Sequence, residues 1–93
     1  MFIVRKKSSL ESIDKKPAKP LTTILHTYGG HGKVLTPVFN PMALLLMNNL
    51  NGVYATANIR GGGEYGGKWH TAATKGKKQT SFDDFIAAAE FLT

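Results

Sequence analysis

The chain has 93 residues, a formal net charge of +6 and no cysteine. This length allows one small domain, and the lack of cysteine excludes a disulfide scaffold, a thiolate nucleophile and a thiolate metal site. The lysines cluster at residues 15–19 and 75–78, where no nucleic-acid-binding element accompanies them, so both runs predict solvated loops. No apolar run approaches the roughly 20 residues of a bilayer span. We therefore expect a cytoplasmic chain that binds neither nucleic acid nor a membrane.

The first third of the chain predicts two strands and a polar loop. Residues 1–6 begin with the apolar MFIV and indicate a short strand, whereas residues 8–20 indicate a surface loop. Residues 21–27, LTTILHT, are β-branched and apolar on both faces, which is typical of a buried strand in a parallel sheet. This strand leads into TYGGHG, residues 27–32, and its glycines predict a turn-rich loop.

The middle third predicts a helix followed by a third strand. Asn40 before Pro41 is a helix-start signal, and the apolar run MALLLMNNL continues the helix to residue 50. Asn51 and Gly52 indicate its end, with Gly52 expected in the left-handed conformation. Residues 52–58, GVYATAN, predict the third strand.

The last third predicts a glycine-rich loop at residues 58–67, an irregular stretch at 68–79 and a final helix. A capping box is expected to start that helix, formed by Ser81 with Asp84 or by Thr80 with Asp83. Helical spacing then predicts a stripe that faces the core. The stripe consists of Phe82, Phe85, Ile86, Ala89 and Leu92.

This order of elements places the chain in the α/β class, with three strands and two helices. The strand at 21–27, the helix at 40–50 and the strand at 52–58 form a βαβ crossover, which predicts a parallel strand pair with a right-handed connection. Because loops that leave parallel strands lie on one rim of the sheet, TYGGHG and NIRGGGEYGG are expected to converge there.

The glycine loop also has the G-x-G-x-x-G spacing of a dinucleotide site, at Gly61, Gly63 and Gly66. A dinucleotide site needs a helix that begins within the motif, so that backbone N–H groups face the pyrophosphate. Here Glu64 places a negative charge inside the motif, and the next helix signal comes only at Thr80. The sequence therefore predicts no nucleotide cofactor.

The three histidines, His26, His31 and His70, raise the alternative of a zinc site. The pattern lacks the second-shell partners that such a site needs, so we expect no metal.

The motifs together resemble the prolyl oligopeptidase family of serine peptidases. The similarity runs in order through MFIVRKK, a strand ending in TYGG, GVYATANIRGGGEYGGKWH and SFDDFIAAAEFL. It implies a partial α/β-hydrolase fold, residues 1–93 being the front portion of a peptidase domain without the nucleophile-elbow half or the β-propeller. It further implies a serine-type endopeptidase that acts on short peptides after proline.

The resemblance assigns roles to few residues. Tyr28 matches the tyrosine that stabilises the oxyanion. His31 occupies the position of an aromatic residue in the proline-side pocket, which leaves the specificity open. Arg60, Glu64, Tyr65 and Trp69 match positions that shape the loop.

The sequence contains no glycine-flanked serine, so we expect the chain alone to be inactive. The alternative is a non-catalytic interaction module, or a truncated product, that associates through an open sheet edge at LTTIL.

Overall fold

The computed structural model describes residues 1–9 and 19–93. The predicted polar loop at residues 8–20 lies mostly outside the described residues. The strands are β1 (Phe2–Val4), β2 (Thr23–His26) and β3 (Val53–Thr56). The helices are α1 (Pro41–Leu50), α2 (Gly67–Thr71) and α3 (Gln79–Leu92), and short 3-10 turns occupy Lys7–Ser9 and Lys75–Lys77.

The strands form one sheet in the order β1-β3-β2. β2 pairs with β3 in parallel, Thr23 opposite Val53, which confirms the predicted parallel pair. β1 pairs antiparallel with the other side of β3, Phe2 opposite Thr56. β3 is therefore the central strand of the described sheet, and both of its neighbours lie at edges.

The core centres on β3 and the segment that follows it. Side chains are buried at every second position from Val53 to Ile59, as expected for a strand with one covered face. Helix α1 packs on β3. Its three buried side chains are Ala43, Leu46 and Met47.

Helix α1 begins as predicted, because the Asn40 Oδ1 accepts a hydrogen bond from the Met42 N–H at 3.0 Å. Its end differs from the prediction. Asn51, not Gly52, takes the left-handed conformation, with φ of 50°. Gly52 is needed for another reason: a Cβ there would lie 2.7 Å from the Leu46 Cγ and 2.9 Å from the Thr22 carbonyl oxygen.

Three predictions about burial and capping are wrong. β2 is largely exposed, since it is an edge strand. The capping box is absent from α3, which begins at Gln79 and so places Ser81 and Asp84 inside the helix. In the predicted core-facing stripe, Phe82 and Ile86 are each 54% exposed, because no described element covers that face.

The predicted irregular stretch at residues 68–79 instead contains α2 and a 3-10 turn, so the chain has a third helix that the sequence pattern did not indicate. No helix among the described residues is long and apolar enough to cross a bilayer.

Candidate functional site

The loops that follow β2 and β3 meet at one rim of the sheet, as the sequence predicts. Backbone hydrogen bonds join them directly: Gly32 N–H donates to the Gly61 carbonyl oxygen at 3.3 Å, and Gly63 N–H donates to the Lys33 carbonyl oxygen at 3.1 Å. We call the segments at residues 27–33 and 58–67 the tyrosine loop and the glycine loop. Their pairing makes the rim one continuous structure.

Two glycines allow this close approach. Gly29 has φ of +63° and Gly61 has φ of +104°, both in the region that L side chains rarely adopt. A Cβ at Gly29 would overlap the Ile59 side chain, and a Cβ at Gly61 would overlap the Gly29 carbonyl oxygen. The glycines therefore serve the packing of one loop against the other, and not a nucleotide phosphate.

Tyr28 projects from the tyrosine loop and is 48% exposed. Its hydroxyl lies 3.1 Å from the Nδ1 of His31, and the two ring centroids are 6.3 Å apart. The Lys33 Nζ lies 5.1 Å from the Tyr28 ring centroid, within the range of a cation–π contact. Two neighbours on its own loop, His31 and Lys33, therefore hold the Tyr28 side chain at the rim.

The glycine loop is fixed to helix α3 by Arg60 and Asp84. The Asp84 carboxylate accepts hydrogen bonds from Arg60 Nε at 2.8 Å and Nη2 at 2.5 Å. The side-chain hydrogen bond from Arg60 lowers the pKa of Asp84 below its ordinary value, against the opposing effect of burial. The same hydrogen bond raises the pKa of Arg60. This pair explains why Asp84 is unavailable as a helix cap.

A second link joins α3 to both loops through Lys78 and Ser81. The Lys78 Nζ donates to the Gly29 carbonyl oxygen at 2.5 Å and to the Ser81 Oγ at 3.1 Å. The Ser81 hydroxyl is 1% exposed and donates to the Arg60 carbonyl oxygen at 2.6 Å. Neither role is visible in the sequence, because Lys78 belongs to a lysine run that predicts a solvated loop and Ser81 stands at a predicted helix cap.

Two side chains of helix α2 contact backbone carbonyl oxygens of the glycine loop. Trp69 Nε1 donates to the Ile59 carbonyl oxygen at 3.1 Å, and the His70 Nδ1 lies 2.7 Å from the Gly61 carbonyl oxygen. Tyr65 packs edge-on against Trp69, with ring centroids 4.8 Å apart. These contacts agree with a structural role for Trp69 in shaping the loop.

Glu64 points into the loop instead of towards solvent. Its Oε1 accepts hydrogen bonds from the Leu35 N–H at 3.2 Å and from Asn58 Nδ2 at 3.4 Å. Its Oε2 is buried without a hydrogen-bond partner among the described residues, and a Cβ at Gly62 would overlap that oxygen. The Glu64 carboxylate thus holds the glycine loop to the segment at Leu35.

An open pocket of about 530 Å³ lies between the two loops and the start of α3. The side chains of His31, His70, Lys75 and Lys78 line it. The histidines do not form a metal centre: residues 1–9 and 19–93 contain no group of three His, Asp or Glu side chains placed to hold an ion. His26 instead stacks on Tyr54, with ring centroids 6.4 Å apart.

Comparison with known proteins gives one consistent result. The model of the Prolyl oligopeptidase family matches residues 37–93. Among curated proteins, the prolyl endopeptidase of Elizabethkingia miricola is 47% identical over 91 residues, which cover 98% of this chain and 12% of that protein. The dual function macrocyclase-peptidase POPB of Amanita bisporigera is 45% identical over 92 residues, which cover 99% of this chain and 12% of that protein.

Solved structures agree with the sequence comparison. Prolyl oligopeptidase B from Galerina marginata, bound to a 35mer hydrolysis and macrocyclization substrate, superposes with a TM-score of 0.79 at 38% identity. The superposition covers 97% of this chain and 12% of that one. The present chain thus spans about one eighth of the length of the proteins that it matches.

Proposed function

Since the chain belongs to the prolyl oligopeptidase family, we propose that its two converging loops form the oxyanion side of a serine-type endopeptidase site. The substrates would be short peptides cleaved after proline, and residues 1–93 would be part of an α/β-hydrolase peptidase domain. The strand order β1-β3-β2, with its parallel pair, supports this assignment. The cytoplasmic location stays a prediction.

The position of Tyr28 carries the proposal. An oxyanion donor must be a fixed hydrogen-bond donor at the place where negative charge develops. Two observations support this role for Tyr28: it is half exposed at the carboxyl end of β2, and its loop is hydrogen-bonded to the glycine loop. A donor of this kind contributes about 10²- to 10³-fold to kcat.

His31 is the second residue of the proposed site. It lines the open pocket beside the tyrosine loop, at the position expected to contact the proline side of a substrate. Its Nδ1 lies within hydrogen-bond distance of the Tyr28 hydroxyl, at 3.1 Å. A proline ring would therefore contact a polar side chain at this position. We therefore infer a weaker preference for proline than an apolar aromatic side chain would give.

The chain by itself is proposed to be inactive. Ser81 is buried and donates its proton to a backbone carbonyl oxygen, which excludes it as a nucleophile. His70 lies against the Gly61 carbonyl oxygen, and His31 lies against Tyr28, so neither histidine is paired with a serine. A fluorogenic Gly-Pro peptide assay on the 93-residue chain should show no turnover, and serine-dependent turnover would contradict this proposal.

A chimaera tests the role of Tyr28. The matching 91-residue stretch of the E. miricola prolyl endopeptidase is replaced by this chain, and kcat/KM is measured for a Gly-Pro substrate. Tyr28→Phe should lower kcat about 10²-fold with little change in KM, because the lost hydrogen bond acts on the transition state. Tyr54→Phe, on β3 and outside both loops, is the matched control and should leave kcat unchanged. A folded chimaera in which Tyr28→Phe retains full kcat would overturn the proposal.

A second candidate function, self-association, rests on a different observation. β2 is an edge strand with Ile24 47% exposed, and beside it lies an apolar pocket of about 400 Å³. The apolar side chains of the pocket belong to Ile24, Met42, Leu45, Leu46, Leu50 and Tyr54. An unpaired edge next to an apolar surface favours pairing with another chain.

Sedimentation equilibrium distinguishes this candidate. The chain should form concentration-dependent dimers, and Ile24→Lys should return it to monomer because a charge on the edge opposes strand pairing. Val38→Lys, at a site that is 77% exposed, controls for added charge. A monodisperse monomer at all concentrations would exclude self-association through this edge.

A further inference from the structure

The turn after Tyr28 brings His31 back onto the phenol. Lys33 N–H donates to the Gly30 carbonyl oxygen at 2.9 Å, and the two central residues have positive φ, 50° at His31 and 63° at Gly32. This is the type I′ pattern, which reverses the chain within two residues. The reversal places the His31 Nδ1 3.1 Å from the Tyr28 hydroxyl oxygen, three residues away in sequence.

From this contact we propose that His31 is a positioning residue that sets the direction of the Tyr28 hydroxyl proton. The inference rests on the proposed function, in which that proton stabilises the oxyanion. A neutral imidazole protonated on Nε2 accepts the phenolic proton at Nδ1 and directs it away from the substrate. An imidazolium donates from Nδ1 to the phenolic oxygen and leaves the phenolic proton free for the oxyanion.

The consequence is a dependence on pH with a defined sign. Protonation of His31 both frees the Tyr28 proton and polarises the hydroxyl, because a hydroxyl that accepts a hydrogen bond is a better donor. Transition-state stabilisation by Tyr28 therefore increases as acidification protonates His31.

Other charged or titratable groups surround the pair. Lys33 lies over the Tyr28 ring from the same loop. His70 on α2 borders Gly32, and Lys75 and Lys78 line the pocket that His31 shares. Within residues 1–9 and 19–93, the Tyr28 hydroxyl bonds only to His31. Since histidine is the side chain that ordinarily titrates between about pH 5 and 8, His70 is the neighbour to separate from His31.

Nuclear magnetic resonance on the 93-residue chain tests the contact without any catalysis. The ¹⁵N resonances of the imidazoles are followed at a pH where the rings are neutral, in the wild type and in Tyr28→Phe. We expect the His31 Nδ1 resonance to shift in Tyr28→Phe while the His70 resonances stay in place. An unchanged His31 Nδ1 resonance would overturn the inference, independently of the kinetics measured in the chimaera.

Kinetics in the chimaera test the consequence. The ratio of wild-type to His31→Phe kcat/KM cancels the titration of the host's catalytic groups. It should rise about fivefold between about pH 8 and pH 5.5, the worth of one net hydrogen bond. His31→Gln keeps a hydrogen-bonding group that does not titrate, so its activity relative to His31→Phe should be independent of pH.

The two proposals fail differently. If Tyr28→Phe retains full kcat, the proposed function is wrong. If Tyr28→Phe loses activity but the wild-type to His31→Phe ratio is flat with pH, only the role of His31 is wrong. When Tyr28→Phe is already present, adding His31→Phe should change kcat/KM by the same factor at every pH, because the Tyr28 hydroxyl proton that His31 would position is absent.

Discussion

The Asp84 carboxylate accepts three hydrogen bonds from Arg60, from the backbone N–H at 2.9 Å, from Nε at 2.8 Å and from Nη2 at 2.5 Å. One side chain on α3 thus fixes both the main chain and the side chain at the start of the glycine loop. Charge-assisted hydrogen bonds from both the backbone and the side chain of Arg60 therefore anchor the glycine loop to α3.

Asp84→Asn should lower the melting temperature by about 5 °C, because it replaces one of the two accepting oxygens by an NH2 group that cannot accept from Arg60, and it removes the charge attraction. Asp83→Asn removes the same charge from the preceding position of α3, where the hydrogen bond to Asp83 comes from the Gln79 side chain at 3.0 Å, and should change the melting temperature little. Differential scanning calorimetry of both variants makes the comparison. Equal shifts would show that Asp84 acts only through helix charge.

The same pair predicts the response to acid. The pKa of Asp84 is lowered in the folded chain, so its ionised form stabilises the fold above the ordinary carboxyl pKa of about 3.9. That contribution is lost as the pH falls through the lowered folded-state pKa. Urea denaturation between about pH 6 and pH 3 should therefore show a smaller loss of stability in Asp84→Asn than in the wild type.

Ser81→Ala should cost about 1 to 2 kcal/mol in the free energy of unfolding, because it leaves the Arg60 carbonyl oxygen without its buried donor and removes one of the two acceptors of Lys78. Thr80→Ala makes the same kind of truncation one residue earlier in α3 and should cost less. The free energy of unfolding in urea measures both. A cost for Ser81→Ala no larger than that for Thr80→Ala would remove the proposed link between α3 and the loops.

Gly61→Ala should destabilise the chain by about 3 kcal/mol, since it combines a positive φ with overlap of the Gly29 carbonyl oxygen. The matched control is Gly67→Ala at the start of α2, where a Cβ meets nothing within 4 Å. That substitution should be neutral or slightly stabilising. If the two glycines respond alike, close packing of the two loops is not the reason for Gly61.

At the end of α1, Asn51 adopts the left-handed backbone conformation and Gly52 allows close packing, so substitutions at the two positions should have different effects. Asn51→Gly should be tolerated or stabilise by about 0.5 kcal/mol, because Asn51 already has a left-handed backbone. Gly52→Ala should cost about 2 kcal/mol, because its Cβ would press on Leu46 and the Thr22 carbonyl oxygen. Chemical denaturation of both variants tests the assignment, and the reverse order of stabilities would refute it.

Sequence by itself determined the features that depend on local rules. The third strand within residues 52–58, the Asn40 cap of α1 and the parallel pairing of β2 with β3 follow from residue preferences, capping chemistry and the βαβ connection. The convergence of two glycine-rich loops follows as well, because parallel strands place their carboxyl ends at one rim.

Only the tertiary structure decided how the rim is held and which faces are buried. Lys78 and Asp84 lie 18 and 24 residues beyond Arg60 in the chain, and no local pattern indicates that they would bond to the loops. The apolar stripe of α3 predicted burial, yet Phe82 and Ile86 are exposed, because periodicity tells which side chains share a face and not whether another element covers it. The contact between Tyr28 and His31 depends on two consecutive left-handed residues, and that backbone choice is visible only in the folded loop.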